Sequence, residues 1–191
     1  MPAPLRDKAG NLPPMPSIFP DAMAPVVRTA GDGVRELLMI RWGFPPQPNL
    51  GTRPVTNVRN VKSSWWKAWL KPEYRCLVPA TSFCEWTDKL PKVTHWFALD
   101  ETRSRPWTGT RGTKAAPVEG AHLLFSFLTT DSNAIVRPIH AQAMPVILTT
   151  ETECETWMAA PVEEALKLQR PLADDAMTLV AVGEKEDGLA A

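Results

Sequence analysis

The chain has 191 residues, 44% hydrophobic and 22% charged, and its 21 Lys plus Arg are balanced by 21 Asp plus Glu. That is one domain's length with enough apolar material for a core, and the even balance removes net charge as an argument for a nucleic-acid or membrane partner while leaving room for a local basic cleft. Its 20 prolines and 8 tryptophans argue against a helical bundle and for short strands joined by turns, with the indoles as core or binding material.

Cys76, Cys84 and Cys154 are an odd set without framework spacing, which excludes a disulfide-stapled secreted domain. No apolar run reaches membrane-spanning length, and the N-terminal stretch lacks the apolar core of a signal peptide. These features place the protein in the cytoplasm, with no membrane partner.

Residues 1–25 are proline-rich and polar and read as coil. Pro25-Val26-Val27-Arg28 reads as a short strand, Gly31-Asp32-Gly33 as a turn, and Glu36 to Trp42 as an apolar strand stopped by Gly43, Pro45 and Pro46. A loop over 45–54 follows. Val55 to Val61 alternates as a strand, with Val55, Asn57, Arg59 and Val61 on one face. Ser63 to Leu70 reads as a short helix capped by Ser63 or Ser64 and stopped by Pro72.

The stretch RCLVPATSFCEW, residues 75–86, then reads as two strands split by a Pro-Ala-Thr-Ser kink. His95 to Leu99 is another strand, followed by a turn at Asp100-Glu101-Thr102. Residues 101–121 are polar and glycine-bearing, without an assignable element. His122 to Thr129 is a strand, and Thr130 to Val136 a helical turn capped by Thr130 or Asp131. Met144 to Leu148 is a strand. Thr150 to Met158 is a helix with Thr150 as cap and Glu153 at the capping-box position. Val162 to Gln169 is a second helix led by Pro161, and Leu179 to Val182 a last strand. The class is α+β: a compact, β-rich, mostly antiparallel single domain over 1–191 with a few short helices.

Three histidines, His95, His122 and His140, lie in separate segments without HxxxH or CxxC spacing, so no metal is expected. No phosphate-binding glycine loop or GxSxG elbow is present, and no cofactor is expected. Asn57 and Arg59 share a strand face: an amide and a guanidinium fork suited to phosphate, or a solvated polar face, although the flanking valines do not suit a fully wet one. Glu85 sits between Cys84 and Trp86. An acid packed on an indole loses solvation, and its pKa rises toward that of a working acid or base; the plain alternative is an edge-strand glutamate in water. His140, in a loop before a buried strand, reads as an acid-base imidazole or as a loop histidine bonded to backbone. Trp65, Trp66 and Trp69 read as core, or as platforms for a base where exposed.

Together, MAPVVR (23–28), IRWGF (40–44), TNVRNV (56–61), RCLVPATSFCEW (75–86), FLTTDSN (127–133) and IHAQAMPVIL (139–148) resemble the SRAP family, the SOS response-associated peptidase domain. Residues 151–188 resemble the closing elements of a phage-associated branch. The resemblance implies a barrel-like β-rich fold with a cleft for single-stranded DNA and covalent capture of abasic sites. In that chemistry an N-terminal cysteine forms a Schiff base through its amine and a thiazolidine through its thiol, after self-processing. It implies that Asn57 orients the nucleophile's amine, that Glu85 and His140 handle protons, and that Arg59, Trp86 and Thr130 contact DNA. The expected partner is single-stranded DNA bearing abasic sites, bound by a monomer.

The sequence departs from that pattern. Position 2 is Pro, not Cys, and all three cysteines read as core thiols. The family's N-terminal catalytic segment is expected to be missing, as is one core strand near residue 106, and Gln142 stands where many relatives carry a basic residue. A non-catalytic remnant that binds single-stranded DNA, and an unrelated β-rich binding protein, are the competing readings. No triad supports a peptidase acting on other proteins.

Overall fold

A computed structural model describes residues 5–46, 51–99, 105–113 and 123–183, with 105–113 as backbone. Eight strands form the larger sheet. β1 (Leu5–Asp7) runs parallel to β3 (Arg35–Trp42), and β2 (Met23–Thr29) pairs with β3 along its whole length in the hairpin turned by Gly31-Asp32-Gly33. β2 then pairs with β5 (Arg75–Ala80), β5 with β8 (Arg105–Thr113), and β8 with β9 (Leu123–Thr130), all antiparallel. From β9 the pairings return to β3 through a short parallel seam, Arg41 with Leu124 and Trp42 with Phe125. The sheet curls back on itself through this seam of two residue pairs, but the fold as a whole is two sheets and not a closed barrel.

β9 is the spine of this sheet. One edge carries β8 and then β10 (Met144–Pro145); the other carries the end of β3 and then β4 (Asn57–Val58). This sharing explains why the strand expected over 55–61 is only two residues long. The edge of β9 is already taken at Leu124 and Phe125, and beyond Val58 the chain turns, with Val61 N–H donating to the Arg59 carbonyl. β10 is likewise shorter than the expected 144–148, although Val146 N–H still reaches the Leu128 carbonyl.

A second sheet, in the order β11 (Thr178–Val182), β7 (Thr94–Ala98), β6 (Ser82–Trp86), carries the other half of the 75–86 stretch. The kink at Thr81 therefore hands the chain from one sheet to the other. Phe83 and Phe97 stack across the β6–β7 pair at 5.2 Å and join Val26, Ile40, Phe125 and Met144 in the core between the sheets. A second cluster, with Phe44, Val58, Trp66, Leu128 and Trp157, lies under the helices.

Those helices are α1 (Ser64–Lys67), α2 (Glu151–Ala159) and α3 (Val162–Ala165). α2 has its expected capping box: Thr150 Oγ1 accepts from Glu153 N–H at 3.1 Å, and Glu153 returns to Thr150 N–H at 3.2 Å. α1 is shorter than expected. Ser63 occupies its N-cap without a side-chain bond, and Pro72 opens a 3-10 turn instead of following a helix. The expected 162–169 helix likewise passes into a 3-10 turn at Leu166–Leu168. The turn after β9 is capped by Asn133, whose Oδ1 accepts from Val136 N–H at 3.0 Å, and not by Thr130 or Asp131.

Two segments without an expected element are strands. β1 forms because Glu36, fully buried on β3, draws Lys8 Nζ to 2.6 Å and Arg28 to 2.5 Å; the Lys8 ammonium, ahead of Arg28, holds its carboxyl below the usual range. β8 forms inside the polar stretch 101–121 because β5 and β9 offer ladder partners on both sides. His122 and the turn expected over 100–102 lie outside the described residues, as does Pro2.

Gly43 ends β3 at φ +121°, and a Cβ there would stand 2.7 Å from the Pro54 Cβ. Its N–H donates to the Phe125 carbonyl at 2.8 Å, next to the seam that joins β3 to β9. Gly43→Ala is expected to cost about 2 kcal/mol through backbone strain and displacement of Pro54. Thermal unfolding should show it as a drop of about 4–8 °C; an unchanged midpoint would mean that the seam relaxes freely.

Candidate functional site

β6 ends in Phe83, buried, Cys84 and Glu85, half-buried, and Trp86, 42% exposed. All four line a cavity of about 720 Å³ between the two sheets, Phe83 at its buried end and Trp86 at its exposed rim. Trp42, Phe125, Phe127 and Trp96 give that cavity aromatic walls, and Asn57 from β4 reaches it from the spine strand's edge. The segment Leu12 to Pro20, read in the sequence as plain coil, forms another wall.

A smaller recess of about 380 Å³ lies on the other side of the rim, lined by Glu85, Trp86, Asp88, Lys92 and His140. Glu85 and Trp86 are shared by both. The Glu85 carboxyl is pushed up to about 7, chiefly by burial; the His140 ring opposes the shift and the Asp88 carboxylate adds to it. An acid with that pKa exchanges protons readily near neutrality, as general acid-base chemistry requires. His140 Nδ1 stands 3.0 Å from Asp88 Oδ1, and Ala141 N–H donates to Asp88 Oδ2 at 3.3 Å. Asp88 is held below the usual carboxylate range by that backbone bond first and by His140 second.

The three residues expected to be catalytic thus converge: Asn57 on the large cavity, His140 on the small recess, Glu85 on both. Trp86 lies with them as an exposed indole. Arg59 and Thr130 are not among the residues lining either space. Arg59 is half-exposed and engaged with the Asp131 carboxylate and the Gln142 carbonyl. Thr130 is buried on β9 opposite Met144. Gln169, which the sequence did not single out, bonds the Arg59 and Thr129 carbonyls at 2.9 Å and ties these two segments together.

The thiols are poor nucleophiles in these positions. Cys76 is fully buried and its pKa is raised strongly by burial. Cys84, expected as core, instead lines the large cavity, but burial pushes its pKa up to about 11, so little thiolate exists at neutral pH. Leu5 pairs with Arg35, at the end of β3 opposite to Trp42 and the cavity. Among the described residues no group of three or more His, Cys, Asp or Glu has metal-site geometry, and no helix is long and apolar enough to cross a membrane.

The family model for SOS response associated peptidase (SRAP) matches residues 3–185. The chain belongs to the SRAP family. Three solved structures share the SRAP chain's fold. A protein from Bordetella bronchiseptica is 20% identical with a TM-score of 0.68, covering 86% of each chain. A phage-related protein from Bordetella bronchiseptica is 21% identical with a TM-score of 0.68, covering 85% of this chain and 79% of that one. A protein from Bacteroides thetaiotaomicron is 20% identical with a TM-score of 0.66, covering 84% and 75%. No curated protein matches. For this SRAP chain, Asp88 and Lys92 are the site residues the sequence reading missed. The available clue was the β6–β7 hairpin itself, which returns the chain beside Glu85.

Proposed function

We propose that this SRAP domain serves in the DNA-damage response by binding single-stranded DNA across the rim formed by Glu85 and Trp86, and that the rim is shaped for an abasic site. The observation that carries this reading is the carboxyl of Glu85, poised near neutrality by burial and shared by the cavity that Asn57 lines and the recess that His140 lines. An aldehyde brought there meets a group able to protonate a carbinolamine oxygen as water leaves, and to take a proton from an attacking amine. Asn57 offers amide groups to orient that amine, and His140 a second proton carrier. Trp86 offers a face on which a flanking base stacks. Arg59 contributes a phosphate contact once DNA displaces Asp131 from it. The protein acts as a monomer inside the cell.

Binding without covalent capture is favoured for this 191-residue chain, because Cys76 and Cys84 are held as un-ionised, buried or half-buried thiols and Cys154 lies within α2. Incubation with an abasic single-stranded oligonucleotide, followed by a denaturing gel, is expected to give no heat-stable shifted band. Native titration is expected to show binding that weakens with salt, and Arg59→Ala should flatten the log–log salt slope by about 0.7, one phosphate contact to a single strand. A heat-stable band would show that another amine or thiol captures the aldehyde. Binding that ignores salt would remove the nucleic-acid reading.

A further inference from the structure

The β6–β7 turn is braced far more than a hairpin connection needs. Thr87 N–H bonds the Val93 carbonyl at 3.0 Å, and Val93 N–H bonds Thr87 Oγ1 at 3.0 Å. Lys92 Nζ donates to the Thr87 carbonyl at 2.6 Å and the Asp88 carbonyl at 3.0 Å. These bonds fix one side chain that points out of the turn, Asp88, whose two carboxylate oxygens both engage the 138–142 loop. That loop is fastened in turn: His140 N–H bonds the Val136 carbonyl at 2.9 Å, and Ser132 Oγ bonds the His140 carbonyl at 2.8 Å.

The chemistry of this contact is directional. A carboxylate only accepts, so the ring nitrogen that faces it, Nδ1, carries the proton. In the neutral ring the free lone pair is then on Nε2, which has no protein partner among the described residues, while the ring lines the recess shared with Glu85. The pair is partly exposed, with side-chain exposures of 26% for His140 and 46% for Asp88, and an ion pair in such a setting adds little to stability. Its distinctive consequence is the choice of tautomer and the aim of the ring.

We propose that Asp88 is a positioning residue of this site: it holds His140 in the Nδ1–H tautomer and leaves Nε2 as the proton-accepting atom that faces the recess. The proposal rests on the functional reading given above, and it assigns Asp88 no contact with DNA.

Asparagine at position 88 makes the test sharp. Aspartate offers two acceptors, one for Ala141 N–H and one for Nδ1–H, whereas asparagine has a single acceptor and an amide donor. Keeping the Ala141 bond turns the amide NH₂ toward Nδ1, and the ring proton must move to Nε2. Ring-nitrogen correlation spectra of the ¹⁵N-labelled full chain, at a pH where the ring is neutral, report this directly. In the unsubstituted protein the protonated-nitrogen signal of His140 is expected at Nδ1; in Asp88→Asn it should shift to Nε2, and in Asp88→Glu it should return to Nδ1. An Asp88→Asn protein that keeps the Nδ1–H tautomer would overturn the proposal, as would an Nε2–H tautomer in the unsubstituted chain, which decides the matter even if the variant fails to fold. A merely structural brace would lower the melting temperature without moving the proton. Salt-dependent DNA binding, measured separately on the unsubstituted chain, fails or holds independently of the tautomer, so loss of the functional reading and loss of the Asp88 role are told apart.

Discussion

Glu85→Gln is expected to melt at a higher temperature than the unsubstituted chain at pH 8 and at the same temperature near pH 4. The folded carboxyl titrates at about 7 against an ordinary value of 4.5. Between those values the folded protein holds a proton that the unfolded chain has released, so stability falls as pH rises through the window. Below 4.5 both states are protonated and nothing is lost. Above 7 the folded state carries a half-buried carboxylate, at a cost of about 2–3 kcal/mol once its partial exposure is allowed for. Glutamine has the same shape and no charge, and it escapes that cost. For a chain of this length the gap at pH 8 corresponds to about 5–10 °C. Glu36 has a depressed value, but it is common to both proteins and cancels in the difference, whereas the repulsion from Asp88 is part of the Glu85 shift that glutamine removes. Parallel melting curves across pH 4–8 would mean that Glu85 is solvated and has no tuned acidity, and the proposed proton chemistry would lose its main support. A residue that weakens its own fold at working pH is what a site looks like when reactivity is kept at the expense of stability.

Much of the frame was legible where local chemistry decides local structure. The glycine turn at 31–33 with its flanking apolar runs gave a hairpin, and Thr150 with Glu153 gave a capped helix, because both depend on residues a few positions apart. RCLVPATSFCEW divides into two strands as expected, but the break is Thr81 alone: Pro79 and Ala80 still pair with β8, and Ser82 already belongs to β6. What was not legible depends on partners distant in sequence. The 105–113 segment has no apolar period of its own; it is a strand because β5 and β9 leave ladder groups on either side of it. The alternation over 55–61 promised seven residues of strand, but the free edge of β9 admits two.

The site divides the same way. Its neighbours in the chain left Glu85 open between a desolvated acid and an edge-strand glutamate in water, and burial is what raises its pKa. How far it is perturbed depends on the cover over the cavity, part of which comes from the proline-rich residues 12–20 that carry no periodic signal. The Asp88–His140 contact joins two turns 52 positions apart, and nothing in either turn announces the other. Arg59, expected on a strand face with Asn57, lies just past the end of β4, and its ion pair with Asp131 arises because the β9 spine sets both residues at the same end.

Arg75→Ala is expected to be among the most damaging single substitutions in the chain. The residue is 1% exposed, yet it carries a guanidinium. Nε donates to the Leu70 carbonyl at 2.7 Å, and Nη1 donates to the Trp157 and Ala160 carbonyls at 2.8 and 2.7 Å. The last two are end-of-helix acceptors on α2 that have no partner within the helix, and a cation at that end also suits the helix dipole. The guanidinium lies 5.3 Å over the Trp157 ring, whose Nε1 donates back to the Cys76 carbonyl at 3.0 Å. Arg75 therefore joins three segments: the end of the α1 region, the end of α2 and the start of β5. Alanine would leave three buried carbonyls short of donors and open a void beside Trp157, a loss of about 3–5 kcal/mol. In this size class that lowers the melting temperature by about 10–15 °C. Arg75→Lys keeps the charge but cannot span three carbonyls with one ammonium, and it should fall between the two. A drop under 2 °C for Arg75→Ala would mean that water enters and satisfies the carbonyls. The effect reaches the site through the strand. Arg75 begins the 75–86 segment that carries Glu85 near its end, and a slip of one residue in β5 turns every side chain to the opposite face. Pinning its first residue to two helix ends fixes which side chains face the core, and so where the chain leaves β5 for β6 and carries Glu85 to the rim.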